Sequence, residues 1–121
     1  MKRILVIDDD SSILCLEEEI LKSAGYEVAT ARDGPSAISI FNQREFDLVL
    51  LDVMMPGIDG FEVSRIFRQM DGSKKVPVVF VTARDDAESM REGFLSGGTM
   101  FLPKPFTSHQ LLQVVHSMID R

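Results

Sequence analysis

Five residues stand directly behind apolar runs, at positions where packing asks for nothing polar. Asp8 and Asp9 follow Ile4–Ile7, Asp52 follows Leu48–Leu51, Thr82 follows Val78–Val81, and Lys104 follows Met100–Leu102 by way of Pro103. If each run is a strand of one parallel sheet, three carboxylates, a hydroxyl and an ammonium meet at its carboxyl edge, where open α/β sheets bind ligands. Two carboxylates about 5 Å apart repel by roughly 3 kcal/mol at an effective dielectric near 20, so such a group needs a cation. All-oxygen donors suit Mg²⁺, or Mn²⁺ in its place, whereas zinc asks for His or Cys. Neither stands near these positions.

A cation held by carboxylates, beside one lysine and one hydroxyl, is apt for binding a phosphoryl group. The metal neutralises phosphoryl oxygens, Lys104 donates a charge-assisted hydrogen bond to another, and Thr82 can donate to a third. A carboxylate in that setting can itself act as the nucleophile and form an aspartyl phosphate. Asp52 is the central candidate, because it follows a fully apolar run and precedes Met54-Met55-Pro56-Gly57, a loop able to lend a backbone carbonyl to the metal.

The elements that must position these groups are legible as periodicity. Five segments rich in branched or aromatic residues, at 4–7, 27–30, 48–51, 78–81 and 100–102, alternate with five segments of helical period. Continuous apolar runs suggest strands buried on both faces, while the more polar Glu27–Thr30 suits an edge. Ile13, Leu16, Ile20, Leu21 and Ala24 mark the first helix, capped by Asp10 or Ser11 and stopped at Gly25. Gly34-Pro35 opens the second, with Ala37, Ile38 and Phe41 on one face. Asp59 and Glu62 open the third, which turns Val63, Ile66, Phe67 and Met70 inward and ends before Gly72. The fourth starts near Asp86, turns Ala87, Met90 and Phe94 inward, and stops at Gly97-Gly98. Thr107 and Gln110 form a capping box for the last, whose stripe is Leu111, Leu112, Val115, Met118 and Ile119. Right-handed crossovers then favour an α/β fold of (βα)5 type, a doubly wound five-stranded parallel sheet with strand order 2-1-3-4-5 and helices on both faces.

Length and composition bound the function. The 121 residues, 45% apolar and 26% charged, suit one packed domain spanning 1–121 with no effector domain beside it. A formal charge of −6 without a dense basic cluster argues against direct nucleic-acid binding. The lone Cys15 is read as a semi-buried apolar residue in a reducing, cytoplasmic setting. The apolar run behind Met1-Lys2-Arg3 meets Asp8 too soon for a signal peptide or a membrane span.

At Ile4–Asp10, Leu50–Gly60, Val81–Ala83 and Leu102–Phe106 the chain resembles a response-regulator receiver domain of two-component signalling, over essentially its whole length. The resemblance implies that Asp52 accepts a phosphoryl group from a phosphohistidine of a sensor histidine kinase or a histidine phosphotransfer protein. It implies that Asp9 and Asp52 bind Mg²⁺ directly, that Asp8 acts largely through water, and that Met54 contributes its backbone carbonyl. Thr82 would reorient toward the phosphoryl group and Lys104 would clamp it, with a cis bond at Pro105. Phosphorylation would remodel the surface of the fourth helix, fifth strand and fifth helix, to control an output protein or a C-terminal effector domain, with a homodimer as one outcome. Such a domain catalyses only its own phosphorylation and dephosphorylation and is not otherwise an enzyme.

Two positions depart from the family pattern. Phe101 stands where an aromatic residue with a hydroxyl is common; it can serve as a switch with Thr82 but makes no hydroxyl hydrogen bond. Gly97-Gly98-Thr99-Met100 stands where Gly-Ala-Asp-Asp is common, which makes the partner face more apolar. The alternatives are a haloacid-dehalogenase-like aspartyl-phosphate phosphatase or phosphotransferase, and a degenerate receiver acting only as a binding module. The first wants a second acid at position 54, where this chain has methionine, and the second is disfavoured by Asp8, Asp9, Asp52, Thr82 and Lys104 occurring together. A flavin carrier fits poorly with an acidic first loop. His109 and His116 share a helical face without a third ligand and read as solvated, and Arg84 reads either as a surface cation or as a residue lying over the site.

Overall fold

Strands and helices alternate from Arg3 onward: β1 (Arg3–Ile7), α1 (Ser11–Ser23), β2 (Glu27–Ala31), α2 (Gly34–Gln43), β3 (Leu48–Leu51), α3 (Gly60–Met70), β4 (Val78–Thr82), α4 (Ala87–Leu95), β5 (Met100–Pro103) and α5 (Ser108–Ile119). The computed structural model describes residues 1–71, 75–84 and 86–119; Gly72, expected to close the third helix, lies outside the described residues. All strands are parallel in the order β2-β1-β3-β4-β5, which places β2 at an edge. None of the described helices is long and apolar enough to cross a membrane.

Successive strand residues point to opposite faces, and the sheet divides its side chains accordingly. Leu5, Ile7, Val49, Leu51, Val78 and Phe80 join one core with Ala37 and Phe41 of α2 and Val63 and Phe67 of α3. Ile4, Val6, Leu48, Leu50, Val79 and Val81 join a second with Leu14 and Leu21 of α1 and Leu111 and Val115 of α5. Both faces of β1, β3 and β4 are covered, so no polar residue interrupts their interiors.

The helices begin where side chains satisfy free backbone N–H groups. Asp10, rather than Ser11, caps α1: its Oδ1 accepts from the amides of Ser12 at 2.9 Å and Ile13 at 3.3 Å. Asp33, Asp59 and Asp86 do the same for α2, α3 and α4. Before α5, Thr107 and Gln110 exchange reciprocal side-chain to backbone bonds at 2.9 and 3.0 Å.

Three burial expectations are corrected. In α4 the buried residues are Ser89 and Gly93, with Ser96 just beyond, while Ala87, Met90 and Phe94 face outward. The reason is a close approach that only small residues permit: a Cβ on Gly93 would lie 2.5 Å from Cζ of Phe101 and 3.1 Å from Cε2 of Phe80. In α1, Leu16 and Ala24 are exposed because the buried stripe runs through Leu14, Glu17 and Leu21. Cys15 adjoins that stripe on its outer side and is exposed rather than semi-buried.

Glu17 is the unexpected member of the α1 stripe. Its Oε1 is buried without a hydrogen-bond partner. Burial first, and then the charge of Asp8, push its carboxyl up from 4.5 to about 8. A group raised in this way favours the fold fully below its unfolded value, and that contribution is lost as pH rises from about 4.5 through 8. Glu17→Leu should therefore raise the unfolding free energy at pH 7.5 by about 2–3 kcal/mol. In urea titrations the gap between variant and wild type should widen from pH 5 to pH 8; a constant or absent gap would remove the assignment.

Candidate functional site

Strand register brings the chemistry together. β1 and β3 pair Ile7 with Leu51, so the next residues, Asp8 and Asp52, emerge side by side from adjacent strands about 4.8 Å apart. The ladder continues one residue further, with the Asp52 amide donating to the Ile7 carbonyl at 3.0 Å. β4 and β5 pair Thr82 with Pro103, and the Lys104 amide donates to the Thr82 carbonyl at 3.0 Å. The peptide bond between Lys104 and Pro105 is cis.

Lys104 leaves this turn toward the carboxylates. Its Nζ donates to Asp8 Oδ2 at 2.7 Å and lies 3.3 Å from Asp52 Oδ2. Asp8 and Asp52 are buried, 1% and 6% exposed, and Asp9 is half-buried. Asp8 Oδ1 accepts from the Asp10 amide at 2.9 Å, and Asp52 Oδ1 lies 3.4 Å from the Met54 amide. Close below, Gly60 lets α3 begin against the Asp52 backbone, since a Cβ there would lie 2.2 Å from the Asp52 carbonyl oxygen. Thr82 is buried at the end of β4, and its hydroxyl accepts from the Arg84 amide at 3.1 Å.

The electrostatics are those of an under-neutralised acidic pocket. Burial, and then the Asp8 charge, hold the Asp52 carboxyl above the usual carboxylate range despite the nearby Lys104. Burial pulls the Lys104 ammonium down, but its bond to Asp8 and the charge of Asp52 outweigh that and leave it above the ordinary lysine value. One ammonium thus serves two buried carboxylates, and Asp9 adds a third acid.

A divalent cation fits this donor set. Carboxylate oxygens of Asp8, Asp9 and Asp52 all lie within 4.8 Å of one another. Opposed oxygen ligands of Mg²⁺ lie roughly 4 Å apart, so small side-chain rotations suffice. Hard oxygen donors without a nearby His or Cys match Mg²⁺ or Mn²⁺ rather than zinc.

Other singled-out residues fall outside the cluster. The Arg84 guanidinium is exposed and sits 6.0 Å from the centre of the Phe61 ring. Phe101 is half-buried against Phe80 and Phe94, with ring centres at 5.2 and 5.9 Å. His109 and His116 are exposed on α5. The Met54 side chain is exposed while that of Met55 is buried. The sequence reading missed Glu17, which feels the charges of Asp8, Lys104 and Asp52 from within the core. Its available signal was spacing: it stands three residues after Leu14 and four before Leu21.

Comparison with known proteins gives this geometry a family. Residues 4–116 match the model of the response regulator receiver domain. The chain is 46% identical over 119 residues to the transcriptional regulatory protein YrkP of Bacillus subtilis, covering 98% of this chain and 50% of that protein. It is 41% identical over 116 residues to the response regulator PleD of Caulobacter vibrioides, covering 96% of this chain and 26% of that protein. The chain therefore spans half or less of the length of these curated relatives. Among solved structures it is similar to the chemotaxis protein CheY4 of Vibrio cholerae, at 35% identity and a TM-score of 0.94, covering 98% of both chains. Five parallel strands in the flavodoxin-like order, their acids gathered at one edge, and a family match over nearly the whole length lead to one conclusion: the chain belongs to the response-regulator receiver domains of two-component signalling.

Proposed function

We propose that the chain is a phosphorylation-dependent switch whose phosphoacceptor is Asp52. The observation that carries this reading is the Lys104 ammonium, held 2.7 Å from Asp8 and 3.3 Å from Asp52 in a pocket that still carries excess negative charge. Asp8, Asp9, Asp52 and the Met54 backbone carbonyl would hold Mg²⁺ or Mn²⁺, which when bound supplies charge neutralisation for phosphoryl oxygens.

The reaction then follows from the residues. An Asp52 carboxylate oxygen attacks the phosphorus of a phosphohistidine on a sensor kinase or phosphotransfer protein. The new P–O bond forms as the P–N bond breaks, and its electron pair stays on the departing imidazole. Lys104 shifts its hydrogen bonds from the carboxylates to a phosphoryl oxygen. The Thr82 hydroxyl, now an acceptor for the Arg84 amide, can rotate to donate to another. Water later cleaves the acyl phosphate, so the domain turns over only its own phosphoryl group.

Surfaces beside the site suit the expected partners. A groove of about 330 Å³ at its mouth is lined by Ile13, Leu16, Ala83, Lys104, Pro105 and Phe106, an apolar rim for the donor protein. Met90, Phe94 and Leu95 are exposed on α4, and Phe94 packs on Phe101 of β5. Movement of Thr82 would reach this α4-β5-α5 face through Phe101, for an output protein, an effector domain or a second copy of the chain. A net charge of −6 keeps nucleic-acid contact out of this domain, and an exposed free Cys15 suits the reducing cytoplasm.

Incubation with acetyl phosphate and Mg²⁺ should add one phosphoryl group, removable by hydroxylamine and absent in Asp52→Ala, as read by intact mass. Equal addition to Asp52→Ala, or none to the wild type, would refute the assignment. Asp9→Ala should weaken Mg²⁺ binding by about tenfold or more in calorimetric titration while circular dichroism is unchanged. Unaltered affinity would exclude Asp9 from the metal site.

A further inference from the structure

Side chains of α3 fasten α4 at its C-terminal end. Ser64 and Ser96 are both buried, and the Ser64 hydroxyl donates to the Ser96 carbonyl at 2.9 Å. One helical turn further along α3, Arg68 Nε donates to the Gly97 carbonyl at 3.2 Å. Arg65, between them, pairs with Glu92 in the last turns of α4. Carbonyls at a helix end lack partners within their own helix, and here another helix supplies them. The anchor is itself held: Arg68 also donates to the Val76 carbonyl and, at 2.6 Å, to Asp71 Oδ2, while Gly60 at the start of α3 donates its amide to the Val53 carbonyl at 2.9 Å.

The start of α4 has no such attachment. Asp86 caps its own helix, accepting from the Ser89 amide and hydroxyl at 3.0 and 2.8 Å. Among the described residues, no side chain from Asp86 to Arg91 makes a hydrogen bond or ion pair with another element. Within that stretch only Ser89 is buried. The chain leaves α4 through Gly97 and Gly98. Gly97 has a φ of +99°, and a Cβ on it would lie 2.5 Å from Arg68 Cγ, so the anchoring side chain rests directly on a turn that favours glycine.

We propose that α4 is a lever hinged at its C-terminal end by α3, in which Ser64, Arg65 and Arg68 hold residues 92–97 in place while phosphorylation of Asp52 displaces residues 87–91. The proposal rests on the phosphoacceptor reading of Asp52 and deepens it by naming how the exposed face of α4 changes.

The physical argument is one of unequal resistance. Gly93 packs against Phe101 and Phe80, so a movement of Phe101 acts on the middle of α4. A hydrogen-bonded helix moves as a rod, and it yields where the fewest bonds must break. Moving the C-terminal end would leave the buried Ser64 hydroxyl and the Ser96 carbonyl unpartnered, a cost that moving the other end does not carry. Displacement then grows with distance from the hinge, and Met90 lies roughly 9 Å along the axis from Ser96. Met90 shifts against Phe94 and Leu95, so the apolar face of α4 changes its relief without changing its composition.

The test measures spin-label distances in a Cys15→Ser background, with one label at Glu88→Cys or Leu95→Cys and the other at Asn42→Cys on α2 or Gln113→Cys on α5, all at exposed positions. Each pair is measured with Mg²⁺ alone and with Mg²⁺ and beryllium trifluoride, a phosphoryl mimic whose binding is read from its fluorine resonance. With the mimic bound, distances to position 88 should shift by about 2 Å from at least one reference, while those to position 95 stay put. In Arg68→Met, and in the double variant Ser64→Ala with Arg65→Met, position 95 should shift as well. The double variant keeps the Arg68 bonds to Val76 and Asp71, and serves if Arg68→Met fails to fold. A shift at 95 as large as that at 88 in the wild type, no shift at either with the mimic bound, or variants that behave as the wild type would overturn the hinge. A wild type that shows no bound fluorine resonance would overturn the phosphoacceptor reading, and the hinge with it.

Discussion

The site depends on one ammonium reaching across the sheet. Parallel register leaves Asp8 and Asp52 no choice but to stand together, because Ile7 and Leu51 are paired immediately before them. Their counter-charge comes from beyond β5, two strands away from Asp52 and three from Asp8, or roughly 10 and 14 Å at ordinary strand spacing. Only a long side chain leaving an inward-directed turn covers that span, and its path crosses the end of β4. Thr82, small and buried, stands at that strand end.

The rest of the molecule holds that strand edge in place. The two cores anchor β1, β3 and β4 from both faces, and aspartates cap four of the five helices, so that backbone polarity is satisfied near the acidic edge. Gly60 and Gly93 permit two close approaches, one of α3 to the Asp52 backbone and one of α4 to Phe80 and Phe101. The second approach leaves Met90 and Phe94 outside, which turns a helix that looks inward-facing in sequence into part of an exposed apolar face. Core packing and the exposed apolar face are thereby set by the same glycine.

Strand positions and the clustered polar groups were legible because they rest on local patterns: continuous apolar runs followed at once by Asp8, Asp52 and Thr82, and after Pro103 by Lys104. Strand order followed from chirality rules and the polar character of Glu27–Thr30. Burial within helices was harder to read, since it depends on what lies opposite. Hydrophobicity pointed to Met90 and Phe94 as the inner face of α4, whereas the rings of Phe80 and Phe101 leave no room for a side chain at Gly93, and Ser89 and Ser96 are buried with it. Glu17 was hidden by its charge and by Glu18 and Glu19 beside it. Its burial is set by its place between Leu14 and Leu21 on the inner stripe of α1.

The central claim is that Asp52, held less closely by the shared ammonium than Asp8 is, serves as the nucleophile. Reduction of the phosphorylated chain with borohydride converts an acyl phosphate to an alcohol, so peptide mass spectrometry reads the acceptor directly. The account predicts homoserine at position 52, with Asp8 and Asp9 recovered unchanged. Homoserine at position 8 or 9 with position 52 intact would contradict it.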